Sequence, residues 1–350
     1  MSPLVLGFNR RKFQYIDSSV VLRAHEKRGK LAKISSVSGL LIVAALLAAQ
    51  QTIGSHITKA ATAKSPINAL TIPIADLHMH DAFGMSSAEE TGVMWGGLGS
   101  KRGSRNSWMA TKESYGNRFI AWAGQAEFNR AYFSGGMTEM LNPNNPMLMK
   151  LYKDSEKDLS NGVIVGIGEI FINNQKSNRN PKFRRKGQVD APIIRRFFDL
   201  VAKYEGFLAF HMDADSDSMT QLGNLLASNR KGRVVWNHCG SNSSASDVRS
   251  MMDKHPNLYC ELSFRYPPVN KQESRNIFNA DRIYSGWSQL MEDFSDRFMI
   301  GTDAHTEKEF VLAIETVRKG LLTNLTPETA RKIAYQNAQR LFALKGAPGP

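Results

Sequence analysis

The sequence has little cysteine: Cys239 and Cys260 are the only two among 350 residues. Two cysteines exclude a disulfide scaffold and the zinc modules that are built on several cysteines. Low-complexity tracts and internal repeats are also missing, which excludes a collagen-like fibre. Hydrophobic residues make up 42% and charged residues 22% of the chain. Because these fractions are close to the average for globular proteins, the composition predicts a folded chain with a sizeable core.

Long hydrophobic runs are almost absent as well. Residues 37–49 form an uncharged apolar run of thirteen residues, VSGLLIVAALLAA, shorter than the roughly 20 residues that cross a bilayer. The run follows a basic arm and precedes small-residue cleavage candidates after Ala49 and Ala63. It therefore predicts a cleaved export signal and a periplasmic or secreted protein. An inner-membrane anchor through residues 34–53, a buried core helix and a start codon placed too far upstream are the alternatives.

Acidic residues are outnumbered, 32 to 45, which gives a net charge of +13. Nine basic and two acidic residues lie in residues 1–63, so this arm carries +7. The remainder carries 36 basic and 30 acidic residues, or +6. So small an excess, dispersed over the body of the chain, argues against a nucleic-acid partner. We therefore divide the chain into residues 1–63, a signal or anchor with its linker, and residues 64–350, a globular domain.

Short apolar runs recur along the globular domain and are separated by amphipathic stretches. Near-continuous apolar runs are typical of strands that are buried on both faces in a parallel sheet. The predicted strands are Leu70–Leu77, Val93–Leu98, Phe119–Ala123, Val163–Ile170, Phe207–Met212, Val234–His238, Leu258–Leu262 and Phe298–Thr302. Helical spacing is clearest in Pro192–Glu205, Ser246–His255 and Thr326–Leu344. The pattern predicts an α/β fold, a (β/α)₈ TIM barrel, with a doubly wound open sheet as the alternative.

Metal-binding residue types lie at the ends of these predicted strands. In a barrel the carboxyl ends of all strands open into one pocket. The pair His78 and His80 projects to one side, because strand residues two apart share a face. Imidazole and carboxylate together suit zinc, manganese, iron or cobalt. The predicted ligands are His78, His80, Glu169, His211, His238 and Asp303.

Several segments resemble the amidohydrolase superfamily, in its amidohydrolase-related branch. The resemblance covers roughly residues 70–345. It rests on IADLHMH at 74–80, GIGEI at 166–170, FHMD at 210–213, WNHCG at 236–240 and RFMIGTD at 297–303. The closing segment NAQRLF at 337–342 is similar to the last helix of that branch. The resemblance implies a metal-dependent TIM-barrel enzyme.

The resemblance also implies how the ligands are shared. His78 and His80 would hold the more buried ion, with Asp303 beside them. His211 and His238 would hold a second ion, or would act as ligand and electrophile around a single ion. Many members have a carboxylated lysine at this place on the fourth strand. This chain has Glu169 there, like the TatD-type nucleases, and Glu169 could bridge two ions or orient a ligand.

These residues predict a metal-dependent hydrolase that uses activated water on an amide, ester or lactone bond of a small molecule. The expected cofactor is one or two Zn²⁺ ions, which lower the pKa of bound water to about 7. Asp303 would accept a proton from the water and pass it to the leaving group, and His238 could stabilise the developing oxyanion. The alternatives are a non-oxidative decarboxylase, a TatD-like phosphodiesterase or nuclease, and a non-catalytic membrane-tethered binding protein.

Further polar residues give weaker indications about the substrate. Arg265 follows the seventh strand and could bind a substrate carboxylate or phosphate, or lie as a solvated loop residue. His305 follows Asp303 by two residues and could contact substrate or belong to an ordinary loop. Cations after the second strand could add a positive rim; they are Lys101, Arg102 and Arg105.

Three residues near the ligands receive no catalytic role from the sequence. Glu261 points away from its neighbour Cys260 along the strand, and no function is assigned to it. Cys239 directly follows His238 and is interpreted as a small buried side chain rather than a zinc thiolate. A bridge between Cys239 and Cys260 depends on geometry that the sequence does not contain.

Overall fold

Eight parallel strands form a barrel in the computed structural model, which describes residues 69–80, 86, 88–98, 105–267, 269–270 and 272–344. Each strand pairs with its neighbours in chain order from β1 to β8. The strands are β1 Ile74–Met79, β2 Val93–Leu98, β3 Phe119–Gly124, β4 Gly166–Asn173, β5 Phe207–Met212, β6 Arg233–Trp236, β7 Leu258–Glu261 and β8 Phe298–Met299. The predicted (β/α)₈ barrel is confirmed. The predicted signal or anchor and the cations Lys101 and Arg102 lie outside the described residues.

The first and last strands meet and close the ring. Parallel bridges join Asp76 to Ile300 and Met79 to Ala304. The backbone N–H of Leu77 donates to the carbonyl of Ile300 over 2.9 Å. Because β8 itself is only two residues long, the closure depends on these bridges at residues 300–304.

Helices connect the strands around the outside of the barrel. They are α1 Ala88–Thr91, α2 Arg105–Tyr115, α3 Gln125–Met140, α4 Pro146–Ser160, α5 Pro192–Lys203, α6 Ser216–Ser228, α7 Ala245–Lys254, α8 Trp287–Asp293, α9 Glu307–Thr316, α10 Pro327–Arg331 and α11 Asn337–Phe342. As predicted, α5 begins with proline at its first position, where a missing N–H costs nothing. The predicted helix at 326–344 is present as α10 and α11, joined by a π-helical turn at Lys332–Gln336. No helix among the described residues is long and apolar enough to span a membrane.

Two predicted strands begin too early. The sequence predicts that the first strand begins at Leu70, but β1 starts at Ile74, directly after Pro73, which has no N–H for the ladder. The fourth strand is predicted from Val163, but β4 starts at Gly166, and the N–H of Val163 donates to the carbonyl of Asp158 at the end of α4. Apolar character continues across both boundaries, so hydrophobicity alone does not locate them.

The barrel interior is filled by alternate residues of the strands. In β5, Leu208 and Phe210 pack in the layer between strands and helices, whereas Phe207 and Ala209 belong to a separate inner cluster. Phe342 of α11 packs against Phe207, with ring centroids 5.0 Å apart. Because side chains two apart share a face, His211 continues the inward row of Phe207 and Ala209 toward the carboxyl end of the barrel.

Phe197 of α5 is central to the layer between helices and strands. Its side chain is fully buried and makes edge-to-face contacts with Phe128 and Tyr152, at centroid distances of 5.3 and 5.6 Å. We expect Phe197→Ala to lower the free energy of unfolding by about 3–5 kcal/mol, because it removes buried surface and leaves a cavity. Denaturant unfolding measures this, and the half-exposed Leu312, replaced by alanine, is the control. Equal destabilisation by both variants would contradict the packing described.

Candidate metal centre

Asp76 fixes the strand ends that carry the first ligands. One of its carboxylate oxygens accepts from the backbone N–H groups of His78 and Thr302, over 2.9 and 3.0 Å. The other accepts from the hydroxyl of Thr302 over 2.6 Å. The N–H of Asp303 in turn donates to the carbonyl of His78 over 2.7 Å. These bonds place the end of β8 beside the end of β1.

His78, His80 and Asp303 form the first triad of possible metal ligands, with ligand atoms within 4.8 Å of one another. Asp303 is hydrogen-bonded to Nε2 of His80 and lies 3.4 Å from Nε2 of His78. Nε2 of His78 is buried and has no hydrogen-bond partner among the described residues. The triad therefore contains a buried ring nitrogen that faces the carboxylates of Glu169 and Asp303 without a hydrogen bond to either.

Glu169, His211 and His238 form the second triad, from β4, β5 and the turn after β6. Oε1 of Glu169 lies 3.2 Å from Nδ1 of His211 and 3.2 Å from Nε2 of His238. The two imidazole nitrogens lie 3.1 Å apart. All three side chains are buried or nearly so.

Glu169 lies between the two triads. While Oε1 faces the second triad, Oε2 lies 3.5 Å from Nε2 of His78 in the first. Gln125, the first residue of α3, donates to the same Oε2 over 3.2 Å. The register of β4 against β5 shifts between Ile167 and Ile170, and this irregularity surrounds Glu169. The structure thus brings all six predicted ligands into one cluster.

The backbone is strained where strands end in this cluster. His238, Phe264 and Asp303 all have left-handed φ angles, of 57°, 56° and 54°. This region costs about 1–2 kcal/mol per residue for side chains other than glycine. Such conformations concentrate at functional sites, where the surrounding fold enforces them.

Opposite charges in the cluster shift its pKa values strongly. Burial alone raises the pKa of Glu169, yet the charge of His78 and hydrogen bonds from the other histidines hold it well below its ordinary value. Burial lowers the pKa of His78, but the charges of Glu169 and Asp303 raise it well above its ordinary value. The pKa of Asp303, raised by burial, is lowered more strongly by the two histidines of its triad. The centre therefore stabilises the ionised form of its carboxylates beside positively charged imidazoles.

Loop residues orient His211. Ser177 Oγ lies 2.9 Å from Nε2 of the ring. Asp213 accepts from the backbone N–H groups of Lys176 and Ser177, over 2.6 and 2.9 Å, and so holds this loop against β5. No pattern in the sequence indicated Ser177, because the loop after β4 has no regular spacing.

Glu261 and Ser263, at the end of β7, are the functional residues that the sequence interpretation missed. Oε2 of Glu261 lies 3.2 Å from Nδ1 of His78 and accepts from the hydroxyl of Ser263 over 2.8 Å. Ser263 Oγ also lies 2.8 Å from Nδ1 of His238. With both Nδ1 atoms held in this way, the Nε2 atoms of the two histidines are turned to the centre. Glu261 and Ser263 are two residues apart, which places side chains on one face of a strand, and this spacing was the signal that the sequence offered.

We expect Glu261→Gln to weaken metal binding about 10–100-fold, because partners that orient metal-binding histidines contribute this much to affinity. Competition with a chromogenic chelator measures the dissociation constant. Glu273→Gln, which changes an exposed acid in the loop after the same strand, is the matched control. Wild-type metal affinity in Glu261→Gln would show that His78 is oriented without this carboxylate.

The remaining predicted residues have different surroundings. Arg265 is buried and donates to the backbone carbonyls of four residues, among them His238 and Cys239, so its contacts are structural. His305 is exposed at the mouth and stacks on His80, with centroids 4.1 Å apart. Cys239 and Cys260 form a disulfide, with Cα atoms 4.8 Å apart. The side chain of Arg105 is outside the described part.

The donor set fits a divalent cation. Four imidazoles and two carboxylates converge from five strand ends, and neutral imidazole with carboxylate suits zinc, manganese or iron. The unpartnered Nε2 of His78 is the kind of orphaned buried atom that a metal would satisfy. His78, His80 and Asp303 would hold one ion, and Glu169, His211 and His238 would hold another or complete the first.

No curated protein matches the chain in sequence. A probable 2-pyrone-4,6-dicarboxylic acid hydrolase from Acinetobacter baumannii is 17% identical, with a TM-score of 0.47, over 74% of this chain and 87% of that chain. A 5-carboxyvanillate decarboxylase from Sphingomonas paucimobilis is 12% identical, with a TM-score of 0.46, over 75% and 82%. A manganese-bound dihydroxybenzoic acid decarboxylase from Polaromonas is 12% identical, with a TM-score of 0.46, over 79% and 98%.

A family model described as amidohydrolase matches residues 168–344. This range covers just over half of the chain, from Glu169 on β4 to the end of the last helix. It includes four of the six clustered ligands: Glu169, His211, His238 and Asp303. The chain belongs to the amidohydrolase superfamily of metal-dependent enzymes.

Proposed function

We propose that the protein is a metal-dependent hydrolase that cleaves an amide, ester or lactone bond of a small molecule with activated water. The observation that carries this proposal is the exposure of Asp303. Its side chain is 12% exposed, whereas the carboxylates of Glu169 and Glu261 are 1% and 0% exposed. Asp303 is thus the carboxylate of the cluster that a substrate and a water molecule can reach.

A divalent cation held by this cluster would lower the pKa of a bound water to about 7 and would polarise the substrate oxygen. Asp303 remains ionised, since the two histidines of its triad keep the pKa of its carboxyl low. Its free carboxylate oxygen can therefore accept the proton of the attacking water and donate it to the leaving group.

His238 is suited to the negative charge that develops on the substrate oxygen. A hydrogen bond to Glu169 raises the pKa of its imidazole although burial lowers it. Ser263 holds Nδ1, so Nε2 is the atom that faces the centre. A positioned donor of this kind stabilises an oxyanion in a site that excludes water. The same contacts equally suit His238 as a metal ligand, which is the role the second triad favours.

The test is turnover of a panel of small lactones, esters and amides in water enriched in ¹⁸O, with metal-loaded protein and with protein treated with chelator. We expect metal-dependent product that carries one ¹⁸O atom from the solvent. Release of carbon dioxide from carboxylic acids without incorporation of ¹⁸O would replace hydrolysis with non-oxidative decarboxylation. Cleavage of phosphodiesters alone would favour the nuclease alternative.

We propose zinc as the cofactor, at one or two ions per chain, because imidazole and carboxylate ligands in a closed cluster suit it. Two separate triads support two ions, and Glu169 of the second triad lies 3.5 Å from Nε2 of His78 in the first. Metal analysis of protein purified without chelator distinguishes zinc from manganese and gives the number of ions.

We further propose that the protein works outside the cytoplasm, in the periplasm or secreted. The disulfide between Cys239 and Cys260 supports this, because such bonds persist in oxidising compartments. N-terminal sequencing of exported protein tests it: a start after Ala49 or Ala63 is expected, and Met1 in washed membranes would indicate an anchor.

A further inference from the structure

The disulfide of this chain lies directly beside the metal centre. Cys239 follows His238 of the second triad, and Cys260 precedes Glu261, whose carboxylate is 3.2 Å from Nδ1 of His78. Both half-cystines are fully buried, with Cα atoms 4.8 Å apart. A single covalent bridge thus joins the turn after β6 to β7, one residue away from groups that belong to the centre.

The turn after β6 has a backbone that needs support from its surroundings. Four successive residues, His238 to Ser241, have left-handed φ angles of 57°, 46°, 79° and 40°. Only Gly240 among them adopts this region without a steric penalty. A metal ligand on such a turn keeps its place only where other parts of the fold hold the turn.

Hydrogen bonds and the disulfide together hold this turn. Nη1 of Arg265 donates to the carbonyls of His238 and Cys239, over 3.1 and 3.2 Å. The hydroxyl of Ser243 donates to the carbonyl of Cys239. These hydrogen bonds end on carbonyl oxygens, whereas the disulfide holds the Cα atom of Cys239 close to β7. The disulfide therefore limits how far the turn can move away from β7.

The separation of the turn from β7 governs the orientation of histidines in both triads. Ser263 Oγ lies 2.8 Å from Nδ1 of His238, and Oε2 of Glu261 lies 3.2 Å from Nδ1 of His78. The backbone N–H of His238 also lies 3.5 Å from Oε2 of Glu261. Bound metals require ligand distances within about 0.2 Å of their usual values. A small displacement of the turn relative to β7 would therefore disturb the ligand geometry of both triads.

We propose that the Cys239–Cys260 disulfide positions the histidines of the metal centre, so that metal affinity depends on the oxidation state of the two cysteines. With the bridge intact, the turn and β7 keep the separation that the ligands need. Reduction by a dithiol or a phosphine transfers two electrons to the S–S bond and yields two thiols, which no longer tie the turn to β7. In a reducing compartment the chain would hold its metal weakly, and oxidation would complete the centre. The inference rests on the proposed function for the presence of a metal, but not for the reaction.

The first test compares the zinc affinity of the full-length chain with and without the bridge. The double variant Cys239→Ala, Cys260→Ala removes the bridge without a reductant, and competition with a chromogenic chelator measures the dissociation constant. We expect a loss of about 10–100-fold, the contribution of partners that orient metal-binding histidines. The double variant Cys239→Ser, Cys260→Ser takes its place if the alanine variant does not fold.

The second test uses the wild-type cysteines. A phosphine reductant cleaves the bridge: its phosphorus takes the oxygen of one water molecule, and the hydrogens of that water complete the two thiols. Because the chain has only two cysteines, a thiol count that rises from zero to two reports this cleavage. We expect the same loss of zinc affinity, its recovery after reoxidation with oxidised glutathione, and no effect of the phosphine on the double variant.

Phe197→Ala is the control for loss of stability alone, because it weakens the packing between helices and strands and leaves the disulfide intact. It should keep the zinc affinity of wild type. Cobalt-loaded protein gives a second readout, since the visible absorption bands of Co²⁺ follow the geometry of its ligands. The bands should differ between wild type and the double variant and should coincide between wild type and Phe197→Ala.

Unchanged zinc affinity and unchanged cobalt bands in the double variant would overturn the inference and leave the disulfide a role in stability alone. Failure of the proposed function is distinguishable, because none of these measurements needs turnover. A chain whose metal affinity follows the disulfide but which hydrolyses nothing would reject hydrolysis and retain the inference. A hydrolase whose metal affinity is the same with and without the bridge would do the reverse.

Discussion

Replacing His78 with alanine is expected to abolish activity and to release metal. His78 lies within reach of both triads: its Nε2 is 3.5 Å from Glu169 and 3.4 Å from Asp303. Without His78, the carboxylates of Glu169 and Asp303 face each other with no positive charge between them. Because residues that only orient a ligand already contribute about 10–100-fold to metal affinity, loss of this ligand should cost more than about 100-fold in affinity. Elemental analysis and turnover of the hydrolysed substrate measure the two effects.

His255→Ala is the control for the first prediction. His255 follows α7, away from the cluster, and its replacement should leave metal content and turnover unchanged. His78→Gln serves where the alanine variant does not fold, since it preserves more of the buried volume. A His78 variant that keeps both metal and turnover would contradict the position of this centre.

Asp303→Asn is expected to lower kcat by about 10²–10⁴-fold, the usual contribution of a positioned general acid or base. The amide preserves the volume of the side chain but cannot accept a proton at neutral pH. KM should change much less than kcat, because the proposed role belongs to the transition state. Steady-state kinetics with the metal-loaded variant separate the two constants.

Asp296→Asn is the matched control, as this exposed acid precedes the same strand. It should behave as wild type does. If Asp303→Asn retained the wild-type kcat, proton transfer would have to involve another group. The exposure of Asp303 would then no longer support the proposed function.

The barrel could be predicted from the sequence because parallel strands are buried on both faces and have an unmistakable apolar character. The boundaries of the strands could not be predicted, because apolar residues such as Val163 also occur in the turns that precede the strands. Helices such as α3 were not predicted in detail: Gly135 and Gly136 interrupt its regular dihedral angles, and its spacing is correspondingly irregular.

The six candidate metal ligands could also be predicted from the sequence. Histidines at strand ends are conspicuous, and the topology of a barrel brings strand ends together. Glu261 was overlooked because a carboxylate inside a short strand has several possible explanations.

The junction of β1 with the residues after β8 has a consequence for synthesis of the protein. His78 emerges early from the ribosome and Asp303 more than two hundred residues later, and the Asp76–Thr302 bonds that bring them together need both ends of the domain. The first triad can therefore assemble only after nearly all of the chain has been translated. A cation bound by this triad would then stabilise only chains that extend at least to Asp303.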